Sequence, residues 1–104
     1  GPGSVLSVQK AALVARKAAA ERIGVRPSPD LARWITQAIH RYHSSQVVES
    51  TIQGFLSIIE RSFPRNDLYL FELLQNAVDD GASEVTVHRR SDPPRLVLSH
   101  NGRP

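Results

Sequence analysis

The chain has no cysteine, so neither a disulfide nor a thiolate metal site can form. It also lacks any stretch long and apolar enough to span a membrane, and no secretory signal is visible. These absences predict an intracellular protein, cytoplasmic or nuclear, without a membrane partner. Residues 1–4 read as the protease-cleavage scar of an expression tag, and the remainder is long enough for one small domain with a modest core.

Clustered basic side chains are scarce as well. Lys and Arg together number 13 against 10 Asp and Glu, which gives a formal net charge of +3. Lysine is nearly absent after the first predicted helix, and most of the bases are scattered arginines. A nucleic-acid module usually shows a cluster or stripe of bases with aromatic side chains between them, but only Arg89-Arg90 and Arg41 stand out here. The sequence therefore carries no strong nucleic-acid signal.

Helical patterns occupy most of the chain and predict about four helices. Alanine, the best helix former, is abundant from Ser7 to about Ile23, and Gly24 is placed to end that helix. Its small apolar side chains predict an arm that packs on this domain or on another subunit. After a proline-rich break, apolar residues recur at helical spacing from Pro29, and a third helix is predicted from Gln46 to about Ser62. Residues 5–45 form the predicted N-terminal helical segment.

Two histidines on the second predicted helix require a choice between interpretations. His40 and His43 lie one turn apart and could ligate a metal ion. A metal site needs three or four ligands, however, and no carboxylate is near them in the sequence. A solvated helix end is the favoured interpretation. Trp34, the only tryptophan, is expected to pack in the core.

The end of the chain predicts an antiparallel hairpin, which makes the fold class α+β. Residues alternate between apolar and polar from Glu84 to His88 and from Arg95 to Ser99, with the turn segment Ser91–Pro94 between them. An isolated hairpin is marginal in water, so it must lie on the helices or pair with other strands. Its open edges and the alanine-rich first helix favour a homo-oligomer.

The most informative stretch runs from Glu72 to Ala82 and predicts a fourth helix that Gly81 ends. One side of this helix is apolar. The opposite side collects carboxylates and amides without a single Lys or Arg: Glu72, Gln75, Asn76, Asp79 and Asp80. Carboxylates and an amide one turn apart can hold a hydrated divalent ion, and a carboxylate can polarise a water. Simple solvation of a polar face is the alternative interpretation.

The same stretch resembles the N-box of the GHKL ATPases, the class that includes gyrase, Hsp90-type chaperones, histidine kinases and MutL. That motif is a Glu, three residues, an Asn, then a small residue and an Asp, which Glu72, Asn76, Ala77 and Asp79 match. The sequence ELLQNAVDDGA is most similar to the sacsin and plant NO VEIN branch of that class. The resemblance implies a partial Bergerat fold, with residues 46–104 as the N-terminal part of a truncated ATP-binding domain.

The resemblance also implies roles for single residues. Glu72 would be the general base that activates the attacking water, and Asn76 would bind Mg²⁺, with ATP as the nucleotide of the parent protein. Asp79 and Asp80 would support contacts to nucleotide and water. In the glycine box that follows, Gly102 matches, while His100 stands where the family has an Asp that accepts from the adenine amino group, and Pro104 replaces the second glycine.

Since the family's later phosphate-binding segment and lid do not follow, the chain alone is expected to be a poor ATPase even where its parent is a Mg-dependent enzyme. The alternative function is a degenerate, non-catalytic interaction or oligomerisation module.

Overall fold

The computed structural model describes residues 4–20, 24–46, 48, 50, 52–54, 57, 67–91 and 94–103. The elements in chain order are β1 (Ser4–Ser7), α1 (Val8–Ala19), α2 (Pro29–Tyr42), α3, α4 (Asp67–Asp79), β2 (Glu84–Ser91) and β3 (Pro94–His100). The described helical residues of α3 are 46, 48, 50, 52–54 and 57. Helices therefore precede an antiparallel hairpin, and the predicted α+β class is confirmed.

Serine side chains mark where the first three helices begin. The Ser7 hydroxyl oxygen accepts from the Lys10 amide at the start of α1, at 3.3 Å. Ser28 accepts from the Leu31 amide at 3.2 Å in the same way, and Pro29 supplies the first residue of α2. Ser45 accepts from the Val48 amide at 3.3 Å. Each cap satisfies a backbone donor that lacks a partner within its own helix, which localises the helix start.

The sheet has three antiparallel strands in the order β1-β2-β3. The central strand β2 pairs with β1 through the register Leu6↔Val85 and with β3 through Val87↔Leu98. Leu6, Val85 and Val87 are buried, so one face of the sheet packs on the helices. The hairpin predicted from the two alternating segments is thus present, and its apolar face lies on the helical layer.

Helix α1 lies at the centre of the core rather than at its edge. Most of its small apolar side chains are buried, and the helix packs between α4 and α2. Small side chains allow the neighbouring helices to approach closely, so α1 packs tightly on them although its own side chains are small. Its buried residues are Val8, Ala11, Ala12, Val14, Ala15 and Ala18.

Three features of the start of the chain correct the sequence-based expectations. Strand β1 was not predicted, and Ser4, assigned to a tag scar, pairs with Val87. Helix α1 ends at Ala19 rather than near Ile23, with the Ala20 amide bonded to the Lys17 carbonyl. This helix was expected to pack either on the rest of its own domain or on another subunit, and the structure shows it packed on its own domain. The early end fits a loop that must reach α2, in which Gly24 has a φ of +86°.

Other expectations meet the structure only in part. Trp34 is half-buried and packs against the core. The predicted end of the third helix near Ser62, the turn residues Asp92-Pro93 and Pro104 lie outside the described residues. None of the described helices combines the length and apolar character that crossing a bilayer requires.

Candidate functional site

Helix α4 carries the polar side chains that the sequence singles out. Glu72 and Asn76 are both exposed and lie one turn apart. Neither side chain bonds another described residue. Residues at this spacing have Cβ atoms roughly 5–6 Å apart, so a carboxylate and an amide project side by side into solvent. The opposite side of α4 fixes this orientation because it is buried in the core through Leu70, Phe71, Leu74, Ala77 and Val78.

The next polar side chains of α4 are engaged by the start of α2. The Ser28 hydroxyl donates to Asp79 Oδ1 at 2.6 Å, and the Ser28 amide donates to Gln75 Oε1 at 2.7 Å. The Asp79 carboxylate therefore lies at the N-terminus of α2, where the helix dipole favours negative charge. The sequence predicted that Gln75 and Asp79 lie on the polar, ligand-facing side of α4. In the structure both side chains accept hydrogen bonds from Ser28 and so connect the start of α2 to α4.

A tight turn ends α4 and sets the position of Asp80. Gly81 has a φ of +82°, its amide bonds the Val78 carbonyl at 3.0 Å, and the Ala82 amide bonds the Ala77 carbonyl at 3.0 Å. These two bonds are the Schellman pattern, in which glycine supplies the left-handed residue. Asp80 follows directly after the last helical residue, and its carbonyl oxygen points out of the turn, where it can accept a further bond.

The segment after β3 packs directly on this turn. The Arg103 amide donates to the Asp80 carbonyl at 2.8 Å. A Cβ atom on Gly102 would lie 2.7 Å from that carbonyl oxygen and 2.9 Å from the Ala82 nitrogen, closer than carbon can approach either atom. Glycine at 102 is therefore required for the backbone after β3 to reach the end of α4. The two stretches that carry the family resemblance, far apart in sequence, are in contact.

His100 is held by the same close approach. The Gly102 amide donates to His100 Nδ1 at 3.0 Å, so Nδ1 is an acceptor and the neutral ring carries its proton on Nε2. Nε2 faces the Asp80 carboxylate, with 3.8 Å between the nitrogen and Oδ2. In this tautomer neither ring nitrogen is free to accept from an adenine amino group. Asp80, whose side chain is 44% exposed, is the acceptor that remains beside it.

Asn101 is a residue that sequence reasoning missed. Its Oδ1 accepts from the Ser83 amide at 2.9 Å and from the Glu84 amide at 3.1 Å, and its Nδ2 donates to the Ser83 hydroxyl at 2.8 Å. One side chain thus ties the end of β3 to the start of β2. The available signal was Asn-Gly after a strand, a pair typical of turns in which asparagine bonds nearby backbone.

The exposed oxygens of Glu72 and Asn76 could supply only part of the ligand shell of a metal ion. Among the described residues no group of three or more His, Cys, Asp or Glu could enclose a metal ion. His40 on α2 and His43, the C-cap of that helix, are both exposed. Mg²⁺ keeps several waters and often takes only one or two protein oxygens together with phosphates. The Asn76 amide oxygen and the Glu72 carboxylate are exposed oxygen donors on α4 that could act in this way.

No protein-family model matches the chain, and no curated protein or solved structure matches it either. Any assignment to a class of protein therefore rests on α4, on the segment after β3 and on the contact between them.

Proposed function

We propose that the chain is the N-terminal part of a GHKL-type ATP-binding domain, in which α4 supplies the Mg·ATP-facing residues. A single observation carries the proposal: Gly102 packs on the turn that ends α4. Glu72 and Asn76 remain exposed on the same helix, about 6 Å apart along its axis. This contact is what a site built jointly from an N-box helix and a glycine box requires.

The proposed roles follow from the chemistry of each side chain. The Asn76 amide oxygen is a hard ligand suited to Mg²⁺ that is otherwise held by waters and phosphates. Bound Mg²⁺ would neutralise charge on the phosphates. Glu72 is placed to take a proton from the attacking water. Asp80, rather than His100, offers the acceptor for an adenine amino group, because Nδ1 of His100 already accepts from Gly102.

Exposure of Glu72 also bears on turnover. A general base acts most effectively where water is excluded and its substrate is held in place. No described residue covers the Glu72 carboxylate. We therefore propose that this chain binds Mg·ATP weakly and turns it over slowly, whereas a longer stretch of the parent protein does both better.

Calorimetric titration of Mg·ATP tests the proposal. We expect weak binding by this chain and tighter binding by a longer stretch of the parent protein. In the longer protein, Asn76→Ala should weaken Mg-dependent binding, and Glu72→Ala should abolish turnover while leaving binding intact. Matched controls are Gln37→Ala and Glu84→Ala, which remove an exposed amide and an exposed carboxylate elsewhere. Unchanged turnover by the Glu72 variant would remove the general-base role.

A second candidate, a non-catalytic interaction module, is favoured by a specific observation. Ser28 occupies the Asp79 carboxylate and the Gln75 amide oxygen, so part of the α4 polar face already has a structural use. Absence of Mg·ATP binding by both the chain and the longer protein would favour this candidate. The oligomeric mass in solution would then be the next quantity to measure.

A further inference from the structure

The histidine at the end of β3 has ring nitrogens that face two groups of opposite kind. Nδ1 of His100 accepts a hydrogen bond from the Gly102 amide at 3.0 Å. Nε2 lies 3.8 Å from Oδ2 of Asp80, which is too far for a hydrogen bond. The ring is therefore bonded to a backbone donor on one side and faces a carboxylate on the other. Its side chain is 23% exposed, so a proton from solvent can reach it.

The groups around this ring come from the elements that pack beside β3. Asp80, in the turn after α4, faces Nε2. On β2, the residue paired with His100 is Val85, which is apolar and buried. Glu84 points to the opposite face of the sheet from Val85, because successive side chains of a strand alternate, and Arg103 is exposed. Asp80 is therefore the charged side chain that a described contact brings to the ring.

Protonation of the ring would reverse its contact with the backbone. Histidine is the side chain that ordinarily takes up a proton between about pH 8 and pH 5, and both nitrogens of the charged ring are donors. The hydrogens on Nδ1 and on the Gly102 amide would then point at each other, so the 3.0 Å hydrogen bond could not persist. The positive ring would be attracted instead to the Asp80 carboxylate. The two charge states of His100 thus favour two different partners.

The hydrogen bond that a proton would break lies at a close backbone contact. Gly102 rests on the turn that ends α4, where a Cβ atom would lie 2.7 Å from the Asp80 carbonyl oxygen. The next amide, that of Arg103, donates to this carbonyl at 2.8 Å. Loss of the bond to His100 removes one of the interactions that hold residues 101–103 in place. The charge of the ring and the position of this segment are therefore coupled.

We propose that His100 is a pH-sensitive switch: its neutral ring holds residues 101–103 on the end of α4, and its protonated ring releases them. Protonation of a histidine that biases one of two arrangements is a recurring kind of switch. The bond from Gly102 is present at the alkaline end of the histidine range and lost at the acidic end. This release is a property of the fold and does not depend on nucleotide binding. A weaker affinity for Mg·ATP in acid, because Asp80 would then pair with the charged ring, rests on the proposed function.

NMR spectroscopy of the isotopically labelled chain without nucleotide, titrated from about pH 8 to about pH 5, tests the switch. At the alkaline end, the nitrogen shifts of His100 should show the tautomer that is protonated on Nε2. As the pH falls, the amide shifts of Gly102 and Arg103 should change with the same midpoint as the ring. The Ala82 amide, which bonds the Ala77 carbonyl within the turn, should not follow that midpoint. Protection of the Gly102 amide from hydrogen exchange, relative to the intrinsic rate at each pH, should fall about fivefold, as loss of one hydrogen bond predicts.

Two variants identify the titrating group. His100→Asn keeps an acceptor, since asparagine side chains bond the backbone amide two residues on, but the carboxamide takes up no proton in this range. The Gly102 shift should therefore stay constant with pH in this variant. His40→Asn is the matched control: His40 is an exposed histidine on α2, and its replacement should leave the Gly102 titration unchanged. Circular dichroism at both ends of the pH range checks that each protein remains folded.

Three outcomes would overturn the proposal. The first is a neutral His100 ring that carries its proton on Nδ1. The second is a Gly102 or Arg103 amide shift that does not change with pH, or that changes with a midpoint different from that of the ring. The third is a Gly102 titration that persists in His100→Asn, because another group would then cause it. If His100→Asn does not fold, the first two outcomes, measured on the unsubstituted chain, decide.

Discussion

Replacing Gly102 with alanine tests the contact between the segment after β3 and the end of α4. The added Cβ would lie 2.7 Å from the Asp80 carbonyl oxygen and 2.9 Å from the Ala82 nitrogen. Both atoms belong to the backbone of a hydrogen-bonded turn, so neither can rotate away as a flexible side chain would. The segment must move instead, and the bond from the Arg103 amide to the Asp80 carbonyl, now 2.8 Å, must lengthen or break.

The size of the effect follows from these contacts. Overpacking at a close contact costs about 1–3 kcal/mol. Loss of one backbone hydrogen bond adds about 1 kcal/mol. We therefore expect Gly102→Ala to lower the free energy of unfolding by about 2–4 kcal/mol, a large part of the roughly 5–15 kcal/mol typical of a domain. The corresponding fall in Tm is about 10–20 °C for a chain of this size.

Urea unfolding followed by circular dichroism measures this change, and Gly54→Ala is the matched control. Gly54 is helical and exposed, and nothing lies within 4 Å of a Cβ built on it. The same substitution there should raise the free energy of unfolding by about 0.5–1 kcal/mol, because alanine is the better helix former. Opposite signs at the two glycines are the predicted result. A Gly102→Ala variant as stable as the unsubstituted chain would refute the reasoning.

Three further predictions concern polar side chains. Ser28→Ala removes both the α2 cap and the hydroxyl bond to Asp79, so we expect it to destabilise the chain by about 1–2 kcal/mol. Amide hydrogen exchange at the start of α2 should become faster, and an unchanged exchange rate there would contradict this prediction. Asn101→Ala removes the side-chain oxygen that accepts from the amides at the start of β2, so urea unfolding should show a loss of about 1–3 kcal/mol of stability. Unchanged stability would show that water replaces the carboxamide. Glu72→Gln should change the free energy of unfolding by no more than about 0.5 kcal/mol, because the carboxylate is exposed and has no partner among the described residues. A larger loss of stability in a thermal melt would indicate a structural role for Glu72.

The parts of the fold that follow from local patterns are those the sequence predicts. The α4 helix and the glycine that ends it follow from helical spacing and from the φ that Gly81 must adopt. Alternation in β2 and β3 predicts the hairpin because each strand shows its own period. The start of α2 was predicted at Pro29, a residue suited to the first helical position.

What the sequence could not predict depends on contacts between distant residues. Strand β1 has only four residues and is specified by its pairing with β2, about eighty positions away, rather than by its own pattern. The bond from Ser28 to Asp79 joins residues 51 positions apart. The tautomer of His100 depends on the Gly102 amide, which a residue type alone does not reveal. The sequence could therefore predict where the candidate site lies along the chain. It could not show which of the polar side chains are exposed and which are already hydrogen-bonded within the fold.

The most direct test of the proposed nucleotide site is an NMR titration of the isotopically labelled chain with Mg·ATP, since chemical shifts detect even weak binding residue by residue. We expect shifts at Asn76, Asp80 and Gly102 that Asn76→Ala reduces and Gln37→Ala leaves unchanged. Shifts that are absent, or that Asn76→Ala does not alter, would contradict the assignment of Mg·ATP to the α4 face.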